Sequence, residues 1–459
     1  MSLVDSAVPA VIAATAAQNM PALPTSKESW IKLHGDHVQR LVTAYGAVMS
    51  RLGLDGIVIH SGIARKKYAH DDQYWPSALT PHFQHWTPYR ETSALLVFFP
   101  GQTPKIIVEE HQSYWEGPAP ANESWDQSAF VWERASDLEK IKGLSSCVFI
   151  GDDQGLATAL GIAVENRDRA DVLANLDQLR TLKSPYEVAA IRQATTIAAK
   201  GHNSLREHFL SDAPVSELAL HQLYLAETAA TDFDIPYGNI VALGAHCGIL
   251  HHVHYDRAAR SGDLSLLVDA GALHHGYASD ITRTWCRGSD VPARIFKGLI
   301  DAVDSAQLDL VGMFTVGQEY EELHNHAHSL LADILRESGL VRMGRDELVA
   351  GGVTRLFFPH GLGHSLGLQV HDVGMRLKNP ALENPYLRNT SKITAGQVCT
   401  IEPGLYFIPT LMKRLVEGHA RSAVDTKMLD ALMPFGGIRI EDNILATDSG
   451  PVNLTRDLI

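Results

Sequence analysis

The first part of the chain alternates short apolar runs with segments of helical periodicity. Each apolar run is bounded by turn residues, which is typical of β-strands. These runs are DGIVIHSG (55–62), SALLVFFPG (93–101), KIIVEE (105–110) and SCVFIGDD (146–153). Apolar residues recur at helical spacing over 31–53 and 170–182. The pattern therefore predicts a small α/β domain over residues 1–182.

A second domain is predicted to begin directly after this point. Ser184, Pro185 and Glu187 form the signature of a helix start: a capping serine, a proline in the first turn, and a glutamate three positions after the cap. Beyond this helix the pattern predicts helices to about residue 232, then a strand-rich region broken by helices around 290–339. We expect an α+β domain over residues 183–459.

Residues 71–92 interrupt the first domain with an aromatic and proline-rich segment. Trp75, Phe83 and Trp86 are costly to leave exposed to water. Two interpretations stay open: a loop packed on its own core, or a lid or subunit contact over a site.

Composition and charge narrow the class of protein. The chain has 45% hydrophobic and 20% charged residues, as globular proteins do, and its formal net charge of −14 argues against a nucleic-acid partner. The sequence has no stretch of about 18 apolar residues that would predict a membrane span, and its N-terminus lacks the basic region of a signal peptide. The four cysteines form no CxxC pair, so we expect a cytoplasmic protein without a disulfide framework.

The strongest local signal is LSLLVDAGALHHGYASDITRTW, residues 264–285, which predicts two strands joined by a tight turn at 273–276. Asp269 and Asp280 are symmetric about the middle of this turn. In a two-residue hairpin they would face each other, about 5 Å apart at Cβ, whereas a bulge at Gly276 would shift the pairing by one residue. Two carboxylates held together among apolar neighbours favour a bound cation. Two solvated aspartates at strand ends are the alternative.

A second signal is FFPHGLGHSLGLQVHDVG, residues 357–374. Its histidines are His360, His364 and His371. The glycines between them disfavour a helix, and the HExxH pattern of zinc proteases is absent. GHSLG also matches the nucleophile elbow of serine hydrolases around Ser365, but that motif requires a following helix, and LGLQVHDV instead alternates like a strand. Leucine at 366 excludes a dinucleotide-binding pattern.

Two glutamates complete the candidate set. Glu402 ends the apolar run QVCTI and precedes a Pro-Gly turn, while Glu441 alternates with isoleucines and shares a strand face with Arg439. A glutamate on the solvent face of an edge strand is the alternative for Glu441. Two aspartates, two glutamates and one histidine suit two ions of Mn, Co, Zn or Fe. Two such ions can hold a bridging water and lower its pKa.

These residues resemble the pita-bread metallopeptidases, the group that includes methionine aminopeptidase, aminopeptidase P, prolidase and creatinase. Within the group the chain is most similar to bacterial-type prolidase (Xaa-Pro dipeptidase) and its relative organophosphorus acid anhydrolase. The similarity covers nearly the whole chain. The strings that carry it include DDQYWP, IPYGNIVALG, ILHHVHYD, VDAG, GYASDITRTW, FFPHGLGHSLGLQVHDVG, TIEPGLYFIP, PFGGIRIEDN and NLTRDL.

The resemblance implies a creatinase-like N-terminal α/β domain followed by a pita-bread domain. It also implies a homodimer in which the N-terminal domain helps to cover the partner's site. In the metal site, Asp269 would bind one ion, His364 and Glu402 the other, and Asp280 with Glu441 would bridge both. Manganese is the usual ion that the resemblance implies.

The resemblance also implies which residues handle the substrate. Glu402 would act as base and then acid, and His371 or His251 would donate to the developing oxyanion. Arg388 matches the arginine that reads the free carboxylate of a dipeptide. The remaining implied pocket residues are His360, Tyr237 and Arg439.

The expected function is hydrolysis of Xaa-Pro dipeptides with a trans peptide bond, with a side activity on organophosphate triesters. Three alternatives stay open: an aminopeptidase P acting on longer peptides, a non-catalytic binding protein, and a serine hydrolase using Ser365. WPSALTP (75–81) and Ser365 depart from the family pattern near the pocket.

Overall fold

The computed structural model describes residues 12–13, 15–110, 129–211, 213–231, 233–259 and 262–459. It divides into two compact units. One is Pro21–Ala190 with the described residues up to Ala17, and the other is Ile191–Ile459 with Gln18–Met20. The division falls inside a helix that spans Pro185–Leu210, and the boundary after Leu182 stays a prediction. None of the helices in the described part combines the length and apolar character that a membrane crossing requires.

The first unit is built on a five-stranded sheet. Its elements, in chain order, are α1 (Lys27–Leu52), β1 (Ile57–His60), β2 (Gly62–Ile63), β3 (Ala78–Leu79), α2 (Pro81–Gln84), β4 (Ala94–Phe98), β5 (Lys105–Glu109), β6 (Val131–Ala135), β7 (Val148–Ile150), α3 (Gln154–Ala159) and α4 (Ala170–Leu179). The strand order is β6-β5-β4-β1-β7. The β1/β7 and β5/β6 pairs are parallel and the others antiparallel. All four predicted strands and both predicted helices are therefore present.

The aromatic segment 71–92 is only partly packed. Phe83 and Trp86 are fully buried in the core of the first unit, whereas Trp75 is 58% exposed. The interpretation as a loop packed on its own core holds for the second half of the segment. The first half keeps an exposed tryptophan that the Lys67 ammonium approaches to 5.6 Å from the ring centre.

The helix that begins at Pro185 carries the predicted cap. The Glu187 carboxylate accepts the backbone N–H of Ser184 at 2.7 Å, and the Ser184 hydroxyl accepts that of Glu187 at 3.3 Å. These reciprocal bonds satisfy two backbone donors that a helix start otherwise leaves without partners.

The second unit combines helices with several small antiparallel sheets. From the helix just described onward its elements are α5 (Pro185–Leu210), α6 (Glu217–Thr228), β8 (Ile240–Leu243), β9 (Ser265–Asp269), β10 (Leu273–His274), β11 (Tyr277–Ala278), β12 (Thr282–Cys286), α7 (Val291–Met313), α8 (Tyr320–Glu337), α9 (Arg345–Ala350), α10 (Thr354–Phe357), β13 (Val398–Ile401), β14 (Gly404–Tyr406), α11 (Pro409–Glu417), α12 (Thr426–Leu432), β15 (Gly437–Arg439), β16 (Asp442–Thr447) and β17 (Gly450–Asn453). The sheets are ordered β12-β9-β8 and β13-β16-β17, and β14 pairs with β15. Apolar residues of α7 and α8 share a core with those of β13 to β16, which holds these sheets in place.

The strand expected at 366–373 is absent from this described region. Instead the chain folds back on itself, because the Asp372 N–H donates to the Ser365 carbonyl at 3.0 Å and the Ser365 hydroxyl donates to the Asp372 carbonyl. The alternation of apolar residues was read as a strand, although it belongs to a compact turn structure.

Candidate active site

The first pair of carboxylates comes from the β9–β12 hairpin, but in a different register from the predicted one. Asp269 lies opposite Thr282, not opposite Asp280. The turn residues are His275 and Gly276, both at positive φ (53° and 85°), as a two-residue hairpin turn requires. The turn therefore sits one residue later than its expected centre at His274–His275, which moves the partner of Asp269 by two positions. The direct pairing was wrong.

The two glutamates lie at an interruption between two strand pairs. The β13/β16 ladder ends at Ile401 and Asp442, and the β14/β15 ladder begins at Gly404 and Arg439. Glu402 and Glu441 lie between these two ladders, opposite each other on the two neighbouring segments. Glu441 also bridges to Thr282, since its N–H donates to the Thr282 carbonyl at 3.0 Å. This bridge joins the glutamates to the aspartate hairpin.

His364 reaches the same place because its loop runs beside β13. The Thr400 N–H donates to the His364 carbonyl at 2.9 Å, and the Glu402 N–H donates to the Leu362 carbonyl at 2.8 Å. Gly363 permits this approach, because a Cβ there would lie 2.2 Å from the Thr400 carbonyl oxygen. The His364 Nε2 then lies 3.2 Å from Asp280 Oδ2 and 3.7 Å from Glu402 Oε1.

Burial and mutual repulsion oppose ionisation of three of the four carboxyls. Burial raises the pKa of Asp280 well above its usual value, and the charge of Asp269 adds to the effect. Burial likewise raises the pKa of Glu441, with contributions from both aspartates, and the pKa of Glu402, with a contribution from Glu441. Ligand atoms of Asp280, His364 and Glu441 all lie within 4.8 Å of one another. Such a cluster is stable in ionised form only if a cation compensates it.

The orientation of His364 also fits a metal. Its Nδ1 lies 3.0 Å from the Ser365 carbonyl oxygen, which can only accept, so the proton is on Nδ1. Burial lowers the pKa of His364, so the ring is neutral and Nε2 carries a lone pair. That lone pair points toward two carboxylates. Metal-binding histidines show this arrangement, with the far ring nitrogen donating to a carbonyl.

Asp269 is held by a buried arginine. Arg439 donates to Asp269 Oδ2 at 2.6 Å, to the Tyr406 hydroxyl at 2.9 Å and to the Thr282 hydroxyl at 3.2 Å. Thr282 in turn donates to Glu441 Oε2 at 2.6 Å. The other Asp269 oxygen, Oδ1, is buried and accepts no hydrogen bond from the residues that the structure describes. A buried carboxylate oxygen that accepts no hydrogen bond is available to bind a cation.

The four carboxyl residues and His364 line a cavity of about 730 Å³ in the second unit. The predicted pocket residues found in its lining are Tyr237, His251, His360, His371, Arg388 and Arg439. Tyr237 donates to Asp280 Oδ1 at 2.5 Å. His371 packs edge-on against His364, with ring centres 4.4 Å apart. Arg388 is exposed to the cavity, and among the described residues none forms a hydrogen bond or ion pair with its guanidinium.

Unlike Arg388, both His360 and Arg439 have hydrogen-bond partners within the protein. Burial lowers the pKa of His360 to about 3. Its Nδ1 donates to the Gly361 carbonyl at 2.8 Å, so its Nε2 accepts from the Tyr406 hydroxyl at 2.8 Å. Arg439 is buried and its donors are taken by Asp269, Tyr406 and Thr282, as described above.

Tyr406 and Thr282 were missed in the sequence. Tyr406 connects Arg439 to His360, and Thr282 connects Arg439 to Glu441. Each follows a predicted metal ligand by a few residues: Tyr406 follows Glu402 in IEPGLYF, and Thr282 follows Asp280 in ASDITRTW. Proximity to Glu402 and Asp280 was the only available signal.

Comparisons with known proteins place the chain in a family. The family model described as "Metallopeptidase family M24" matches residues 189–448, and "Xaa-Pro dipeptidase, N-terminal domain" matches residues 32–178. A protein of Pseudoalteromonas atlantica named Xaa-Pro dipeptidase is 37% identical over 440 residues, which is 93% of this chain and 98% of the relative. One of the same name from Xanthomonas campestris pv. campestris is 38% identical over 447 residues, covering 92% and 97%.

Solved structures show the same fold. Proline aminopeptidase P II from Yersinia pestis aligns with a TM-score of 0.69 at 24% identity, covering 93% of this chain and 97% of that one. Aminopeptidase P from E. coli, solved with the inhibitor Pro-Leu, aligns with a TM-score of 0.70 at 23% identity, covering 93% and 95%. The predicted fold class, an N-terminal α/β domain followed by a pita-bread domain, is confirmed. The chain belongs to metallopeptidase family M24, where its relatives are the Xaa-Pro dipeptidases, and it is a hydrolase of that family.

Proposed function

We propose that this chain is a two-metal dipeptidase that hydrolyses the trans peptide bond of Xaa-Pro dipeptides. The observation that carries the proposal is the pairing of two features in one cavity. A buried cluster of carboxylates with an unprotonated imidazole nitrogen lies on one wall, and the unpaired Arg388 cation lines the same cavity. The names of the relatives support the choice of substrate.

Five residues would hold the metal. Asp269 would bind one ion through its free oxygen, His364 Nε2 and Glu402 the other, and Asp280 with Glu441 both. Carboxylate and imidazole ligands without thiolates suit manganese, with cobalt, zinc or iron as alternatives. When bound, such ions supply Lewis-acid chemistry, because they polarise a carbonyl and make water more acidic.

The proton transfers fall to residues of the chain. Glu402 lines the cavity, and its carboxylate would accept a proton from the attacking water and return it to the leaving proline nitrogen. His371 or His251 donates a hydrogen bond to the carbonyl oxygen as negative charge develops there. His360 remains neutral, and the Tyr406 hydroxyl fixes its ring orientation.

Substrate length would be set by Arg388. A guanidinium that has no partner within the described chain is available to bind the C-terminal carboxylate of a dipeptide through charge-assisted hydrogen bonds. The proposal requires that the distance between this cation and the carboxylate cluster accommodate one Xaa-Pro unit. A longer peptide places its carboxylate elsewhere, which distinguishes this function from that of an aminopeptidase P.

The proposal also includes a cytoplasmic homodimer and a slower side reaction on organophosphate triesters. A triester would be attacked by the same activated water, with the same carboxylates in place.

The direct test measures metal content per chain together with hydrolysis of Ala-Pro before and after chelation. We expect activity that disappears with the metal and returns with manganese, and little turnover of Ala-Pro-Ala. Ser365→Ala is the matched control, and it should retain activity because Ser365 donates to a backbone carbonyl rather than to a base. Turnover of Ala-Pro that survives complete metal removal would contradict the proposal.

A further inference from the structure

A second cluster of titratable groups lies in the same unit, away from the carboxylates of the site. Glu217, the first residue of α6, is fully buried. Its Oε1 accepts the Leu243 N–H at 2.9 Å and His246 Nδ1–H at 2.7 Å. Its Oε2 accepts the Asp256 N–H at 2.8 Å and His252 Nε2–H at 2.8 Å. Burial opposes ionisation, but these four hydrogen bonds lower the pKa of Glu217 to about 2.

A glutamate beside two histidines also invites a metal interpretation, which the distances oppose. An ionised carboxylate has about four lone-pair positions, and N–H donors use all four here. The two oxygen–nitrogen separations of 2.7 and 2.8 Å are those of hydrogen bonds. Ligand atoms around a tetrahedral zinc, at bonds of about 2.0–2.2 Å, would lie roughly 3.3–3.6 Å apart. Protons rather than a cation hold this cluster together.

The four donors all belong to one segment, residues 243–256. Leu243 ends β8, and Asp256 closes the segment. Between these two attachment points, Leu250, His251 and Val253 line the cavity of the active site. Glu217 is not itself part of that lining.

The middle of the segment has few restraints of its own. Within the described chain, residues 250–254 form no backbone hydrogen bond, and His251 and Val253 are exposed. Apart from the His252 ring, which Glu217 holds directly, the attachments at its ends are therefore what fix the position of the cavity-lining residues. Besides Glu217, these are the Leu218 N–H donating to the Asp256 carbonyl at 3.1 Å and the Tyr255 hydroxyl donating to the Asn239 carbonyl at 2.5 Å.

We propose that Glu217 is a positioning residue for the active site, which acts by anchoring both ends of the segment 243–256 and thereby placing His251 in the cavity wall. The role of His251 in hydrolysis rests on the function proposed above. The anchoring itself does not, so the two can fail separately.

The first test follows the anchor without any substrate. Glu217→Gln removes the negative charge. It also replaces one carboxylate oxygen with an NH2 group, which cannot accept the hydrogen bond from the backbone N–H of Leu243 or Asp256. Amide hydrogen exchange measured by mass spectrometry should become at least about tenfold faster at the hydrogen-bonded amides of Leu243, Ile249 and Asp256. Glu227→Gln, an exposed glutamate on the same helix, is the control and should leave the rate unchanged. Unchanged exchange in Glu217→Gln would overturn the proposal.

A milder pair of variants covers the case in which Glu217→Gln does not fold. His246 is partly exposed, with 27% of its side chain accessible, so its replacement is tolerable. His246→Ala removes one donor, whereas the amide nitrogen of His246→Asn can take the place of Nδ1. We expect faster exchange in the alanine variant and restoration in the asparagine variant. Equal exchange in both variants contradicts the anchor.

The second test asks whether Glu217 acts through His251. Glu217→Gln should lower kcat/KM for Ala-Pro about tenfold when His251 is present and have no further effect in a His251→Ala background. Losses that multiply in the double variant would overturn the positioning role. If the wild-type enzyme hydrolyses no Xaa-Pro dipeptide, the proposed function fails, and the exchange measurements still decide the anchor.

Discussion

Asp280→Asn is expected to stabilise the metal-free protein even though it removes a proposed metal ligand. The substitution preserves shape, and the amide oxygen can still accept the hydrogen bond from Tyr237. The substitution removes a carboxyl whose ionisation is already opposed by burial and by the charge of Asp269. The free energy of unfolding without metal should therefore rise.

The structure gives the scale of this effect. Asp280 and Glu441 present oxygen atoms within 4.8 Å, and two unit charges at that distance repel by about 3.5 kcal/mol at an effective dielectric constant of about 20. A carboxyl avoids part of this repulsion by keeping its proton. Keeping the proton costs about 1.4 kcal/mol for each pH unit by which the solution pH exceeds the usual pKa of the group. We expect a gain of about 1–3 kcal/mol at about pH 8.

The pH dependence has a definite sign. The raised pKa of Asp280 means that the folded protein holds a proton that the unfolded chain has already lost above about pH 4. Stability from this group is thus present at low pH and decreases as pH rises toward the folded pKa. The advantage of the asparagine variant should be larger at about pH 8 than at about pH 6.

Asp442→Asn is the matched control, because Asp442 is equally buried but paired. It binds Arg283 at 2.6 Å and Arg456 at 3.0 Å, and these cations lower its pKa in spite of burial. The same change of a carboxylate to an amide should here destabilise the protein by about 3–5 kcal/mol, since it removes the charge that pairs with the buried Arg283 and with Arg456.

The assay is denaturant unfolding of chelator-treated protein, repeated with manganese. Metal that binds only the folded state stabilises wild type by about 2.7 kcal/mol at a concentration 100 times its dissociation constant, and Asp280→Asn should lose most of this gain. If the metal-free variant is less stable than metal-free wild type at both pH values, the reasoning about the carboxylate cluster is refuted.

Three further predictions concern single side chains. Arg388→Met should raise KM for Ala-Pro roughly 10- to 100-fold with little change in kcat, while Arg376→Met, outside the cavity lining, should not; steady-state kinetics decides. Tyr406→Phe should lower kcat about tenfold and unfolding free energy by about 1–3 kcal/mol, and an unchanged kcat would contradict its link to His360. Glu187→Gln should cost about 3–5 kcal/mol at neutral pH through the loss of its 3.0 Å bond to Arg40. The pKa of Glu187 is lowered in the folded protein. This deficit should therefore shrink as the pH falls from about 4 through that lowered pKa, because the wild-type carboxylate then also becomes protonated.

Local rules predicted the elements that depend on neighbours in sequence. The apolar runs of the first unit became strands, and the cap of Ser184 and Glu187 formed as expected because both partners lie within one turn. The hairpin register failed because both HH and HG can occupy a two-residue turn. Only the positive φ of His275 and Gly276 decides between them.

Contacts between distant segments were beyond such rules. The residues LGLQVHDV alternate as a strand does, yet bonds between Ser365 and Asp372 close them into a turn. Glu217 gave no signal, because its four donors lie 26 to 39 positions further along the chain. The five candidate metal ligands were predicted from local sequence patterns together with motifs of the family, and no local pattern by itself predicts that these segments meet.

The positions of the arginines decide which of the buried carboxyls near the candidate site have a cationic partner. Glu441 and Asp442 are consecutive, both are buried, and their pKa values shift in opposite directions. Successive residues of an extended chain point to opposite sides. On one side, Arg283 and Arg456 neutralise Asp442. On the other, Glu441 faces Asp280 and Asp269, and Arg439 pairs with only one oxygen of Asp269. A second arginine directed to that side, beside Arg439, would stabilise the empty fold and compete with any metal. The same stretch of chain thus carries a carboxylate paired with arginines on one side, and on the other a carboxyl whose ionisation is opposed in the absence of a cation.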